Sequence, residues 1–291
     1  MRSIPLGPGG PAVSVIGYGG MHLSIDGRPP EADSIRTIHA ALDQGVTLID
    51  TADVYCLDQS EIGHNERLIA RALGAWSGPR DRILVATKGG LIRPEGRWER
   101  DARPERLQRA CERSLAALGV EIIDLYQLHA PDHQVPFADS VGALADMQRA
   151  GWIRQVGLSN VSVAQIRQAQ AIVPIASVQN RLNPWFREAL SEGVVKYCAD
   201  QGIAFLAYSP TGGGRLTKKI PQHPTARAVA ERRGISPHQA VLAWVLSQGS
   251  SVIAIPSSRT IPHAVDGAGA ATVTLTAADL SEIDHAEWSR A

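Results

Sequence analysis

The segment EADSIRTIHAALDQGVTLID, residues 31–50, reads as a helix over residues 31–44 followed by a short β-branched strand over Thr47–Asp50. The same unit recurs along the chain. Ser14–Tyr18 is a strand candidate upstream. Downstream come Ile83–Thr87, Ile122–Leu128, Ile153–Leu158, Ala176–Gln179, Ile203–Tyr208 and Val252–Ile255, each followed by a Gly, Pro, Asn or Ser signal and then by a helical period. Pro104 opens one such helix, Leu107, Cys111, Leu115 and Leu118 share its face, and Gly119 ends it. Eight strands alternating with helices, with no composition break or low-complexity linker, predict a single domain over residues 1–291: an α/β chain folded as a (β/α)8 TIM barrel. An open doubly wound sheet is the alternative. Ahead of the first strand, the turn residues between Ile4 and Val13 predict an N-terminal β-hairpin that caps the barrel bottom.

Bulk properties narrow the function. Lys plus Arg (29) balances Asp plus Glu (29), so no field of one sign draws nucleic acid or an anionic membrane. The three cysteines, Cys56, Cys111 and Cys198, form neither a CxxC pair nor part of a zinc cluster, and no metal site is expected. Prolines and glycines near the start break up the apolar stretch a signal peptide needs, which points to a cytoplasmic protein. Oligomeric state is not legible.

Active sites of such barrels sit at the carboxyl ends of the strands. Asp50, Lys88 and His129 close three neighbouring strands, and Tyr55 lies just beyond Asp50. Each alone has an ordinary structural explanation, as a helix cap, a solvated lysine, a satisfied histidine or a pocket wall. Together they suit carbonyl reduction. Hydride transfer leaves an alkoxide that needs a proton, and a phenol with a free pKa of about 10 is a weak acid at pH 7. A neighbouring Lys88 ammonium is expected to lower the phenol's pKa, Asp50 to hold Lys88 charged, and His129 to donate to or orient the carbonyl oxygen.

These residues resemble the aldo-keto reductases, a family with an Asp, Tyr, Lys and His tetrad on a barrel. The resemblance runs through residues 50–55, 87–88, 125–129, 157–160, 178–180, 208–210 and the segment that begins at Ile255-Pro256, which is nearly the whole chain. It implies an extended NADPH bound without a Rossmann domain, direct hydride transfer to an aldehyde or ketone, and Tyr55 as general acid. It further places Ser159, Asn160 and Gln179 at the nicotinamide carboxamide and Tyr208 against its ring. The segment Ser209, Pro210, Thr211, Gly213 to Leu216 falls where barrels often hold phosphate, and Thr211 departs from the apolar residue usual in the family. After strand eight, Ile255, Ser257, Ser258, Arg259 and His263 resemble the segment that clasps an adenosine 2′-phosphate, which favours NADPH over NADH. Ser257 stands for a common Gly, and Gly267 for an Asn that typically meets adenine. Met21, Trp98, Pro131 and Trp185 are candidates to line a pocket for a small-molecule carbonyl substrate. Two rivals stand beside this reading: an NADP(H)-binding regulatory or sensor subunit with weak reductase activity, and a metal-dependent barrel hydrolase. The second calls for carboxylate or His clusters that the strand ends lack.

Overall fold

The computed structural model describes residues 1–290. Twelve strands follow in order: β1 (Ser3–Pro5), β2 (Ala12–Ser14), β3 (Tyr18–Gly19), β4 (Leu48–Asp50), β5 (Leu84–Gly89), β6 (Leu91–Ile92), β7 (Glu99–Arg100), β8 (Ile123–Leu128), β9 (Ile153–Ser159), β10 (Ile175–Arg181), β11 (Ala204–Tyr208) and β12 (Val252–Ile255). Strands β3, β4, β5, β8, β9, β10, β11 and β12 pair side by side in that order, all parallel. A parallel bridge between Ile16 and Ala254 joins the last strand to the first and closes a (β/α)8 barrel. The crossover helices include Glu31–Asp43, Pro104–Leu118, Phe137–Arg149 and Pro237–Ser247.

Helix ends follow their local chemistry. Pro104 is the first residue of its helix, and Gly119 ends it at φ +66°. Ser162 with Gln165, Ser236 with Gln239 and Thr276 with Asp279 form capping boxes at three other helix starts.

The first barrel strand is shorter than Ser14–Tyr18. Ser14 belongs to the hairpin strand β2, and its side chain takes over the local pairing. Ser14 Oγ donates to Ile16 O at 2.6 Å and accepts from Thr47 N at 2.9 Å, while Ser14 N donates to Thr47 Oγ1 at 2.8 Å. These side-chain bonds replace ladder bonds, so both Ser14 and Thr47 fall outside the barrel strands.

The expected hairpin pairs Ile4 with Val13 in antiparallel register. Its turn drives Leu6 and Val13 against Leu48, Leu84, Leu125, Leu206 and Ile253, residues that face the barrel interior. Burying each of the two hairpin side chains is worth about 1.5–3 kcal/mol. Gly7, at φ +80°, lies so close to β10 that a Cβ would sit 2.6 Å from the Ala176 backbone, and only glycine fits.

Strand alternation carries this apolar floor upward into a polar layer. Leu48 faces inward, and so two residues on does Asp50. On β5 the inward series continues to Lys88, and on β8 Leu125 is followed by Gln127 and, just past the strand, His129. Ile49, Val85 and Tyr126 point outward into the layer beneath the helices.

Candidate active site

Lys88 is wholly buried, and its ammonium has three partners: Asp50 Oδ2 at 2.7 Å, Thr51 O at 2.8 Å and Tyr55 OH at 3.0 Å. Asp50 Oδ1, the oxygen facing away from the ion pair, accepts from Gln179 Nε2 at 2.7 Å and Gln127 Nε2 at 3.4 Å. A buried ion pair needs such bonds to offset the desolvation of both charges. The loop carrying Tyr55 is pinned on both sides, by Thr51 N donating to Ala86 O at 2.7 Å and by Thr51 Oγ1 donating to Asn65 Oδ1 at 2.6 Å. His129 stands edge-on to Tyr55, ring centroids 5.8 Å apart. The four tetrad residues therefore gather at one opening.

Burial opposes the charged form of Lys88, but Asp50 and Tyr55 more than offset it, and the ammonium's pKa rises. The phenol departs from expectation. Burial raises the Tyr55 pKa and outweighs the opposing pull of Lys88, so the net direction is upward from 10 rather than downward. A phenol held this way keeps its proton at neutral pH, as a donor must. Burial, and after it the Lys88 charge, pushes His129 well below the ordinary imidazole range, so His129 is neutral with a single N–H. Its Nδ1 is buried without a partner. Behind the Tyr55 loop, burial and the neighbouring Glu66 push the Asp53 carboxyl up.

The His129 shift fixes a pH dependence of stability. The folded state holds the imidazole neutral, whereas the unfolded chain takes up a proton below about 6.5, so the fold loses stability as pH falls through that value. We expect His129→Gln to lose less melting temperature than the parent between pH 7 and pH 5. Parallel Tm curves over that window would refute this.

The residues expected at the nicotinamide bond one another across strand ends. Ser159 Oγ donates to Gln179 O at 2.8 Å, Asn160 Nδ2 to His129 O at 3.0 Å, and Tyr208 OH to Asn160 Oδ1 at 2.9 Å. Asn160 adopts φ +59°, which turns the chain at the mouth. Gln179 is thus an anchor for Asp50 as well as a group at the mouth.

Ser209 takes φ +47°, and its carbonyl accepts from Asn183 Nδ2 at 2.8 Å. Pro210 is buried, and Thr211 Oγ1 accepts from Thr217 at 3.1 Å. Gly213 has φ +66°, next to Gly212 at +88°, where a Cβ would press on Leu216 and on the Trp185 ring. Ser258 is buried, with its carbonyl accepting from Tyr18 OH at 2.6 Å, and Ser257 Oγ is buried without a partner. Arg259 is exposed and reaches back to His22 O at 3.2 Å and Asp26 O at 2.9 Å. Ile255 ends β12, and His263 lies exposed in the first turn of the helix Ile261–Gly269.

The four pocket candidates part company. Met21 packs with Ile62 and Leu91 on the Tyr55 cluster, Trp98 approaches Tyr55 edge-on at 6.4 Å, and Pro131 lies half-buried in the loop after His129. Trp185 goes elsewhere. It is buried with Ile220, Ala226 and Val241 beneath the glycine loop, at 4.7 Å from the Trp288 ring. An aromatic in a loop carries no sequence sign of which neighbour will cover it. Gln127 is not among the sequence candidates, although it precedes His129 by two residues and so shares its inward face. Arg93, buried against Trp98 beside this cluster, carries no motif that marks it in the sequence.

An acid, an ammonium, a phenol and an imidazole thus stand together at the mouth of a parallel barrel. The Aldo/keto reductase family model matches residues 15–287, and the chain belongs to that family. Probable aldo-keto reductase 1 of Glycine max is 35% identical over 98% of this chain and 89% of its own. A glycerol dehydrogenase structure from Gluconobacter oxydans superposes with a TM-score of 0.80 at 31% identity, covering 94% of this chain and 91% of that one. An aldo/keto reductase from Klebsiella pneumoniae in complex with NADP and acetate gives 0.81 at 26% identity, covering 98% and 95%. No helix among the described residues is long and apolar enough to cross a membrane, and no three His, Cys, Asp or Glu side chains among them gather as metal ligands would.

Proposed function

We propose that this chain is an NADPH-dependent carbonyl reductase acting on aldehydes or ketones, with Tyr55 as general acid. The observation that carries the proposal is the Lys88 ammonium, shared between Asp50 and the Tyr55 hydroxyl at the barrel mouth. When bound, the reduced nicotinamide supplies a hydride to the carbonyl carbon. The chain's own residues handle the oxygen. The Tyr55 hydroxyl and the neutral His129 N–H are donors beside one another, suited to the charge that develops on the oxygen as the carbon is reduced. Tyr55 then gives up its proton, and the phenolate that remains is stabilised by the ammonium 3.0 Å away. Asp50 and the Thr51 carbonyl keep that ammonium in place.

The residues present suit the cofactor. Gly213 and its neighbours leave backbone free of side chains where a pyrophosphate would lie, and the buried Ser257 hydroxyl lacks a protein partner beside Ser258 and Arg259. The relatives crystallised with NADP and NADPH support the same choice. Ser159, Asn160 and Gln179 would hold the carboxamide, Tyr208 the ring, and Arg259 the 2′-phosphate.

NADPH consumption against a panel of aromatic, aliphatic, sugar-derived and pyridoxal-type carbonyls tests this function directly, and binding without turnover would favour a sensor. A second test concerns Arg259. A guanidinium bonded to a doubly charged phosphate is worth about 1.5–3 kcal/mol, so Arg259→Ala should weaken NADPH binding by about 10- to 100-fold while NADH binding changes little. Equal losses in Kd would reject the 2′-phosphate role and leave Arg259 as a tie to the His22–Asp26 loop.

A further inference from the structure

Arg93 is only 6% exposed, yet among the described residues no carboxylate pairs with it in a salt bridge. Its Nη2 donates to the carbonyls of Cys56 at 3.1 Å and Leu57 at 2.9 Å, the two residues that follow Tyr55, while Nε and Nη1 are buried without partners. The nearby carboxylates bond elsewhere: Glu61 to Arg28, and Glu95 and Glu99 to Arg97, while Asp58 bonds Ser60 and acts on Arg93 only through its charge, without a salt bridge. The indole of Trp98 covers the guanidinium, its ring centroid 3.9 Å from Arg93 Cζ, and turns its edge to the Tyr55 ring. Two carbonyls and an aromatic face hold the cation in place, but none of them cancels its charge. Desolvating a charge without an opposite partner is costly, and such groups are ordinarily paired. The cover itself reaches solvent, since Trp98 is 46% exposed just before β7 in the antiparallel pair it forms with β6.

We propose that Arg93 forms an anion subsite beside the catalytic tyrosine, selecting carbonyl substrates that carry a carboxylate or phosphate a short chain away from the carbonyl. The inference rests on the carbonyl reductase reading and adds a substrate class to it. Trp98 touches both Tyr55 and Arg93, and a bound anion would displace or flank the indole and take one of the two unpartnered donors, which point to opposite sides of the guanidinium. The uncharged remainder of the substrate would lie against Met21, Leu91 and Trp98.

The test uses matched pairs with NADPH: succinic semialdehyde against butanal, and glyceraldehyde 3-phosphate against glyceraldehyde. We expect kcat/KM for the anionic member of one pair to exceed that of its neutral partner by about 10- to 100-fold, mainly through KM. The pair that shows this identifies carboxylate or phosphate as the preferred anion. Added salt should shrink the preference, since it depends on a charge at the substrate mouth, and Arg93→Gln should bring the ratio towards one. Arg93 also ties two loops together, so if that variant fails to fold, the ratio in the unaltered chain and its salt dependence decide. Equal kcat/KM within both pairs, with neutral aldehydes turned over, overturns the subsite and leaves the reductase reading standing. A preference that survives Arg93→Gln also overturns it. No NADPH-dependent turnover of any of the four compounds overturns both.

Discussion

Tyr55→Phe is expected to lower kcat by about 100- to 10,000-fold, the range general acid catalysis supplies, while NADPH binding stays close to that of the parent. Only the hydroxyl is lost. Among the described residues its sole polar partner is the Lys88 ammonium at 3.0 Å, and that ammonium keeps Asp50 Oδ2 and Thr51 O. The phenylalanine ring can still pack with Ala52, Val54, Met21 and Leu91. The fold should therefore tolerate the change, and Tm should move little. Single-turnover measurement with saturating NADPH separates the chemical step from binding. A rate equal to that of the parent would remove Tyr55 from the proton path. A collapse in Tm would mean the hydroxyl is structural.

Lys88→Met should produce a second large loss of a different kind. It leaves the Asp50 carboxylate, 2% exposed, without an opposite charge, supported only by the Gln179 and Gln127 amides. Breaking a buried pair from one side costs about 3–5 kcal/mol, so denaturant unfolding should show a clear fall in midpoint together with loss of turnover. The double variant Lys88→Met with Asp50→Leu should recover much of that stability and none of the activity, because it removes the stranded charge with its partner. Recovery of activity in the double variant would show that the ion pair is not needed for proton delivery. A Lys88→Met chain as stable as the parent would contradict the geometry of the pair.

The barrel was legible because its strands are mostly buried on both faces and each is followed by a turn signal before a helix. Val252–Ile255 and Ile153–Leu158 need no long-range information to be recognised. Strand boundaries were misjudged where side chains displaced ladder bonds, as Ser14 and Thr47 do by bonding each other. That Asp50, Tyr55, Lys88 and His129 gather at one end of the barrel was legible because strand ends share one rim in this architecture. The direction of the Tyr55 shift was not. It depends on how far burial exceeds the pull of one ammonium, a quantity no spacing contains. Trp185 and Arg93 show the same limit from opposite sides. A loop tryptophan expected at the mouth is buried under the glycine loop, and a loop arginine without any motif is buried against the residues that follow Tyr55.

The N-terminal hairpin that seals the barrel's lower end makes the interior a blind well. Beneath the ammonium lie leucine and isoleucine side chains closed off by Leu6 and Val13, and the oxygen of Asp50 that faces away from Lys88 is taken up by amide donors. Traffic from below has no route. On the proposed mechanism, a hydrogen ion spent on product is therefore replenished from above.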